Sequence, residues 1–293
     1  MTEIAPYLEQ HPLVFALTAG LFGLAIGSFL NVVIYRLPVM IERTWRRQCE
    51  ELAGRRPRRK RAEEIFNLIL PGSRCPHCSH EIRFWENIPI LSFLWQQGRC
   101  SSCNRRISWR YPTVELLTGV CSAVVAWRFG FAPAAAAALL LTWALIALTF
   151  IDYDHQLLPD DVTLPLLWLG LLVNVAALFA PPTQAVVGAI AGYVSLWSVY
   201  QLFKLITGKE GMGYGDFKLT AALGAWLGWQ QLPFIVLLSS FFGAVVGLAF
   251  ILLFGRDRRL PIPFGPFLCA AGWVALLWGD AMTRYYLQLV RLA

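Results

Sequence analysis

Asp152 directly follows the apolar run "LTWALIALTFI", and Asp216 closes "GMGYGD" between the apolar runs "YVSLWSVYQLFKLI" and "LTAALGAWLGW". A carboxylate on the last turn of an apolar helix gains nothing from the helix dipole and loses hydration. Ionisable groups in such segments are rare and mark function. If the two carboxylates come close they cannot both ionise cheaply, so one keeps its proton. The ionised one then activates water while the protonated one polarises a peptide carbonyl, the division of labour of aspartic proteases. Asp154 is the nearest rival to Asp152. Asp160 and Asp161 precede the next apolar segment, where acidic residues serve as helix caps and dipole partners. Glu115, in the first turn of another, is a third possible acid with the same ordinary explanation.

Gly211, Gly213 and Gly215 alternate just before Asp216. Glycine accepts positive φ and permits close backbone approach, which would let an extended peptide lie beside Asp216. A nucleotide or S-adenosylmethionine loop would need a preceding β-strand, and an apolar segment precedes this one. No Gly-Lys-Ser/Thr follows, which excludes a P-loop. Lys218 either snorkels to headgroups or biases the charge of the pair.

The second chemical cluster is "CPHC" (75–78) and "CSSC" (100–103), separated by 21 residues. Two Cys-x-x-Cys turns supply the four soft ligands of tetrahedral zinc, in the spacing of a zinc ribbon. "CPHCSHEIRF" and "CSSCNRRISW" repeat one pattern 25 residues apart, so each half reads as a knuckle with its own hydrophobic plug, Ile82 or Ile107. Two redox-active or disulfide-bonded thiol pairs are the alternative, which a reducing cytoplasm disfavours. Cys75, Cys78, Cys100 and Cys103 leave no open position for water, so such a zinc is structural. His77 and His80 are spare candidates, and Cys49, Cys121 and Cys269 read as free thiols.

The elements that position these residues follow from composition. Of the 293 residues, 57% are hydrophobic and only 15% charged, with a mean hydropathy of +0.55. A soluble core cannot absorb that much apolar surface. Eight candidate spans lie near 13–35, 113–131, 134–151, 162–180, 185–206, 217–231, 233–254 and 262–280, the sixth being short. The fold class is therefore an all-α polytopic membrane protein of about eight transmembrane helices. The acidic opening "MTEIAPYLEQ" lacks the marks of a cleaved signal peptide, so the first segment reads as a retained helix.

Residues 36–110 carry 16 Lys and Arg against seven Asp and Glu. The positive-inside rule places this insert in the cytoplasm and the N-terminus outside. Counting spans then puts 152–161, 207–216 and "GRDRRL" (255–260) inside, so Asp152 and Asp216 emerge at the cytoplasmic face. The organisation is a first span (1–35), a basic cytoplasmic insert with the cysteine module (36–111) and a helical membrane domain with both aspartates (112–293). The run "GRRPRRKR" (54–61) is tethered to the membrane at both ends, which favours anionic lipid over nucleic acid as its partner.

Two rival readings remain on composition alone. Intramembrane carboxylates also mark proton-coupled transporters, here with a regulatory zinc module, but no inverted repeat is visible. A membrane-tethered zinc-ribbon adaptor would leave both aspartates without a role.

The stretches "GSFLNVVIYRLP", "WENIPILSFL", "RYPTVELLTG", "IDYDHQLLPD", "GKEGMGYGDFKL" and "PIPFGPFL", with the two cysteine pairs, span nearly the whole chain. Together they resemble the type IV prepilin peptidases, the prepilin leader peptidase/N-methyltransferases. The resemblance implies a GxGD intramembrane aspartyl protease of the bacterial inner membrane, with Gly213 and Gly215 in the motif and Asp152 and Asp216 catalytic. It implies zinc on the four cysteines. It implies cleavage of the basic leader of type IV prepilins or type II secretion pseudopilins, after a glycine on the cytoplasmic side. The new N-terminus is then methylated from S-adenosylmethionine, for which no residue is assigned. Membrane lipid rather than nucleic acid is the expected partner besides the substrate, and no motif speaks to oligomeric state.

Overall fold

The computed structural model describes residues 4–54, 66–254 and 262–291. Nearly all of the basic run 54–61, and the whole of 255–260, lie outside them. The described residues form ten helices in chain order: α1 (Ile4–Gln10), α2 (Pro12–Leu52), α3 (Leu91–Trp95), α4 (Arg110–Phe129), α5 (Pro133–His155), α6 (Asp160–Val175), α7 (Pro182–Thr207), α8 (Tyr214–Leu227), α9 (Leu232–Phe254) and α10 (Gly265–Arg291). Apart from α1 and α3, each falls on one of the eight expected segments. Five stretches are long and apolar enough to cross a membrane: α2, α5, α7, α9 with its lead-in turn, and α10. The fourteen-residue α8 rises only about 21 Å, short of the ~30 Å hydrocarbon core. Proline opens α5 and α7, where its missing N–H costs nothing. Left-handed Gln156 and Gly208 end them.

The chain divides into two compact units, Met1–Trp127 and Arg128–Ala293. In the first, α2 and α4 pack antiparallel through glycines. A Cβ at Gly27 would stand 2.7 Å from the Glu115 Cα, and one at Gly23 would stand 2.5 Å from the Ser122 hydroxyl. Close backbone approach of this kind replaces the hydrophobic effect as the adhesive between membrane helices. α2 continues beyond the expected end at 35 to Leu52 as one helix with Pro38 inside it.

In the second unit α8 is the centre. Leu219 through Trp226 are all buried. Gly188 and Gly192 of α7 form a small-xxx-small face against it, and any side chain at Gly188 would collide with the Gly224 carbonyl. Gly170 of α6 makes room for the Trp226 indole, whose Nε1 donates to the Leu166 carbonyl at 2.8 Å. Buried Asn174 donates to the carbonyls of Ala225 and Trp226 and accepts from the amides of Phe179 and Ala180. These contacts hold the C-terminal half of α8 on α6 and α7, and with it the register of its first turn.

Candidate active site and thiolate cluster

Asp152 lies on the last turn of α5, is 6% exposed, and accepts the backbone N–H of Gly265 at 3.0 Å. Gly265 is the first residue of α10, so the positive end of that helix points at the carboxylate. A Cβ at Gly265 would stand 2.6 Å from the Asp152 Oδ2. Glycine is therefore required here by space. Asp216 lies in the first turn of α8, 7% exposed, three residues after the cap Gly213. That is the position from which an acidic side chain can reach back to the cap amide, and the Asp216 backbone N–H donates to the Gly213 carbonyl at 3.2 Å.

Both carboxylates line one cavity of about 610 Å³. Its walls come from the 211–213 loop, from Gln156 and Leu158 after α5, from Ser240, Gly243 and Ala244 of α9, and from Ile262–Phe264 with Phe267. The two aspartates interact electrostatically across it. The rival Asp154, two residues on, is exposed and does not line the cavity.

The three glycines before Asp216 serve different ends. None has positive φ. A Cβ at Gly211 would stand 2.7 Å from the Phe203 ring, and one at Gly215 would stand 2.7 Å from the Leu158 Cβ. Only Gly213 is open, its nearest neighbour being the Asp216 carboxylate. The expectation that both Gly213 and Gly215 make room for a peptide narrows to Gly213, because Leu158 already fills the space at Gly215. A donor-binding nucleotide loop does not fit here either: helix α7 precedes it, and two of its glycines are occupied.

Lys218 is held by a third carboxylate rather than by either member of the pair. Its Nζ meets both oxygens of Asp160 at 2.7 Å. Asp160 is not a cap, since Pro159 holds that position; it stays in the first turn of α6 and clasps α8. On the cavity rim, Glu210 pairs with Lys204 at 2.8 Å, and that ammonium holds the Glu210 carboxyl below its ordinary value. Sequence reasoning missed Gly265 and Leu158. The signals were the Gly-Pro pair opening the last span in "PIPFGPFL" and the leucine in "QLLPD".

The thiolate cluster is local by contrast. Arg74 bridges Glu81 and Arg99 bridges Arg106, closing two identical knuckles 25 residues apart. In each, the first cysteine amide donates across the turn, to His80 or Arg105. Left-handed Ser79 and Asn104 occupy equivalent corners. The four Sγ atoms lie within 4.8 Å of one another, with Cys75–Cys103 at 3.8 Å and Cys78–Cys100 at 3.9 Å. A tetrahedron with metal–sulfur bonds near 2.3 Å has edges of about 3.8 Å, so the cluster fits zinc. Backbone amides of Cys78 and His77 bring the Cys75 thiol down to about 6. Cys103 goes to about 11 despite a backbone bond from Arg105, because burial and the neighbouring thiols oppose its charge. Four thiolates gathered this tightly call for a cation.

His77 and His80 stand outside the cluster. His80 meets Glu86 at 3.3 Å and Ser101 at 3.3 Å. Ser101, Arg83 and His80 all favour the charged Glu86, which is held below its ordinary value. The brace joins the two knuckles. The expected plugs are absent: Ile82 is exposed and Ile107 half-buried, since a knuckle this small has no interior to fill.

Glu115 is not the first-turn acid expected. α4 begins at Arg110, which places Glu115 in the second turn, where it is buried. Its carboxylate accepts the Ile90 amide at 2.8 Å.

Two family models match the chain. The Bacterial Peptidase A24 N-terminal domain covers residues 21–129 and the Type IV leader peptidase family covers 139–248. A prepilin leader peptidase/N-methyltransferase of Pseudomonas aeruginosa is 58% identical over 282 residues, 96% of this chain and 97% of the relative. Relatives of the same name from Aeromonas salmonicida and Legionella pneumophila are 56% and 48% identical, over 99% and 95% of this chain and 100% and 96% of their own. No solved structure gives a significant match. With relatives of this identity along nearly its whole length, the chain belongs to the prepilin leader peptidase/N-methyltransferase family.

Proposed function

We propose that this chain is an intramembrane aspartyl endopeptidase that removes the leader of prepilins or type II secretion pseudopilins and then N-methylates the new terminus. One observation carries the first half: two buried carboxylates from separate helices, Asp152 and Asp216, line one cavity. One carboxylate takes a proton from water as its oxygen attacks the scissile carbonyl carbon. The other, protonated, donates to the carbonyl oxygen. Collapse of the tetrahedral intermediate breaks the C–N bond, and the departing amine takes up a proton. The open backbone beside Gly213 accepts the peptide.

Methylation is supported by the relatives' name. S-adenosylmethionine would supply the methyl group and leave as S-adenosylhomocysteine; the amine freed by cleavage would accept it in its neutral form, with net loss of one proton. Cys75, Cys78, Cys100 and Cys103 hold a structural zinc, with no ligand position left for water. The protein is a multi-pass protein of the bacterial inner membrane. Its orientation, N-terminus periplasmic and cavity at the cytoplasmic end, rests on the basic excess of 36–110. The division into 1–35, 36–111 and 112–293 separates the thiolates from the carboxylates by function.

The test is cleavage of a prepilin in membranes carrying Asp152→Ala or Asp216→Ala, with product masses read for leader loss and the methyl increment. Each change alone is expected to abolish cleavage while a pre-cut pilin is still methylated. Normal cutting by either variant would sink the assignment.

A further inference from the structure

The insert between α2 and α4 reads from its charge as a cytoplasmic domain, but one part of it is tied below the membrane surface. α4 fixes the scale. Arg110 and Arg128 bracket it, and Glu115 is the one charged residue between them. Their separation is about 27 Å along the helix, close to the ~30 Å hydrocarbon thickness. Glu115 lies five residues inside Arg110, about 7.5 Å deeper, and binds the Ile90 amide. A second tie agrees. Ser28 of α2, eight residues and so about 12 Å inside Arg36, donates to the side-chain Oδ1 of Asn87 at 3.4 Å. A helical side chain leans toward its helix N-terminus, which brings Glu115 back toward the surface by part of a turn. The two ties together hold residues 87–90 at the boundary between headgroups and acyl chains.

The segment hung from these ties is apolar on its free side. Leu91, Leu94 and Trp95 of α3, at i, i+3 and i+4, share one face. They are 63%, 61% and 89% exposed, and Ile88 before them is 43% exposed. Trp109 and Phe84 are exposed as well. Residues 81–110 also carry Arg83, Arg99, Arg105, Arg106 and Arg110 against the two acidic residues Glu81 and Glu86. An exposed apolar face with exposed aromatic neighbours, in a stretch of net positive charge, is the composition of an interfacial anchor, complementary to anionic headgroups.

We propose that α3 and its lead-in, residues 88–95, dip into the cytoplasmic leaflet as an interfacial anchor that moors the thiolate module to the membrane. The proposal rests on the membrane reading of α2 and α4 and is independent of the peptidase assignment. The occupant of the exposed face is lipid.

Photolabelling of the full-length wild-type chain tests it. The protein is reconstituted in phosphatidylethanolamine/phosphatidylglycerol vesicles doped with a lipid carrying a diazirine on its acyl chain, and adducts are mapped by mass spectrometry. Leu248 and Leu252, exposed on α9, are the lipid-facing reference. Leu52, 89% exposed at the far end of α2, is the aqueous one. Labelling at Ile88, Leu91, Leu94 and Trp95 is expected several-fold above Leu52 and near the α9 level. Labelling no higher than at Leu52 overturns the proposal. So does labelling that excess prepilin abolishes at α3 but not at α9, because the face would then belong to substrate. Loss of peptidase activity in the Asp152→Ala chain leaves this labelling unchanged, which keeps the two readings separable.

Discussion

The thiolate cluster and the carboxylate cavity are built in opposite ways. The cluster takes four ligands from one short stretch, each pair set by a turn that closes its own hydrogen bonds. The cavity takes Asp152 from the end of α5, Asp216 from the start of α8 and its holding amide from the start of α10. The first needs only local backbone geometry. The second exists only if several helices pack to within the width of a methyl group. Substitutions far from the aspartates should therefore damage the cavity, while the cluster responds to its own residues alone.

The sharpest way to break this contrast is Gly265→Ala. The added methyl stands where the Asp152 carboxylate is. A misplacement of about 1 Å at a reacting group costs on the order of 100-fold, so cleavage should fall by about that factor with zinc content unchanged. Equal loss of zinc would show that the two regions are not separable. Cys78→Ser is the converse. It should lower bound zinc, read by elemental analysis of the purified protein, while acyl-chain labelling of α9 stays as in the parent. Asn174→Ala leaves four backbone groups at the α8 end without their partner, at about 1–3 kcal/mol for each group left unsatisfied. A fall in thermal midpoint with full zinc occupancy is expected; an unchanged midpoint would show that packing alone holds α8. Lys218→Gln breaks a half-exposed ion pair and should cost no more than about 1 kcal/mol.

The smallest effect is electrostatic. The folded Glu210 carboxyl is held below its ordinary 4.5 by Lys204. Its contribution to stability is thus full above pH 4.5 and lost as pH falls through the depressed value. The thermal midpoint of the parent should exceed that of Glu210→Gln slightly at pH 6, and the gap should close in more acidic buffer. A gap that persists there would trace to shape rather than charge.

The same contrast decides what the residues disclosed before folding. The eight apolar segments, the four cysteines and their repeat were legible because periodicity and spacing are local. Asp152 stood out as a candidate because a carboxylate on the last turn of an apolar helix has no ordinary explanation, and its place on the cavity wall agrees with that reading. The role of Lys218 was not legible, since Asp160 lies 58 residues away in sequence. Glu115 was hidden by a good ordinary explanation, and only the start of α4 at Arg110 removed it. Gly211 and Gly215 looked like room for a ligand, and are room for Phe203 and Leu158. A glycine announces that something lies close; it does not say what.

The amide that holds Asp152 belongs to α10, which follows both α5 and α8 in the chain. A chain folded only as far as α9 already carries both aspartates, yet lacks the third participant. The proposed hydrolytic centre is thus completed only once α10 has joined the helices that carry the two carboxylates. Chains truncated before Gly265 should accumulate as inert fragments rather than as unregulated proteases. The order of the helices along the chain then acts as a safeguard for the other proteins of the membrane.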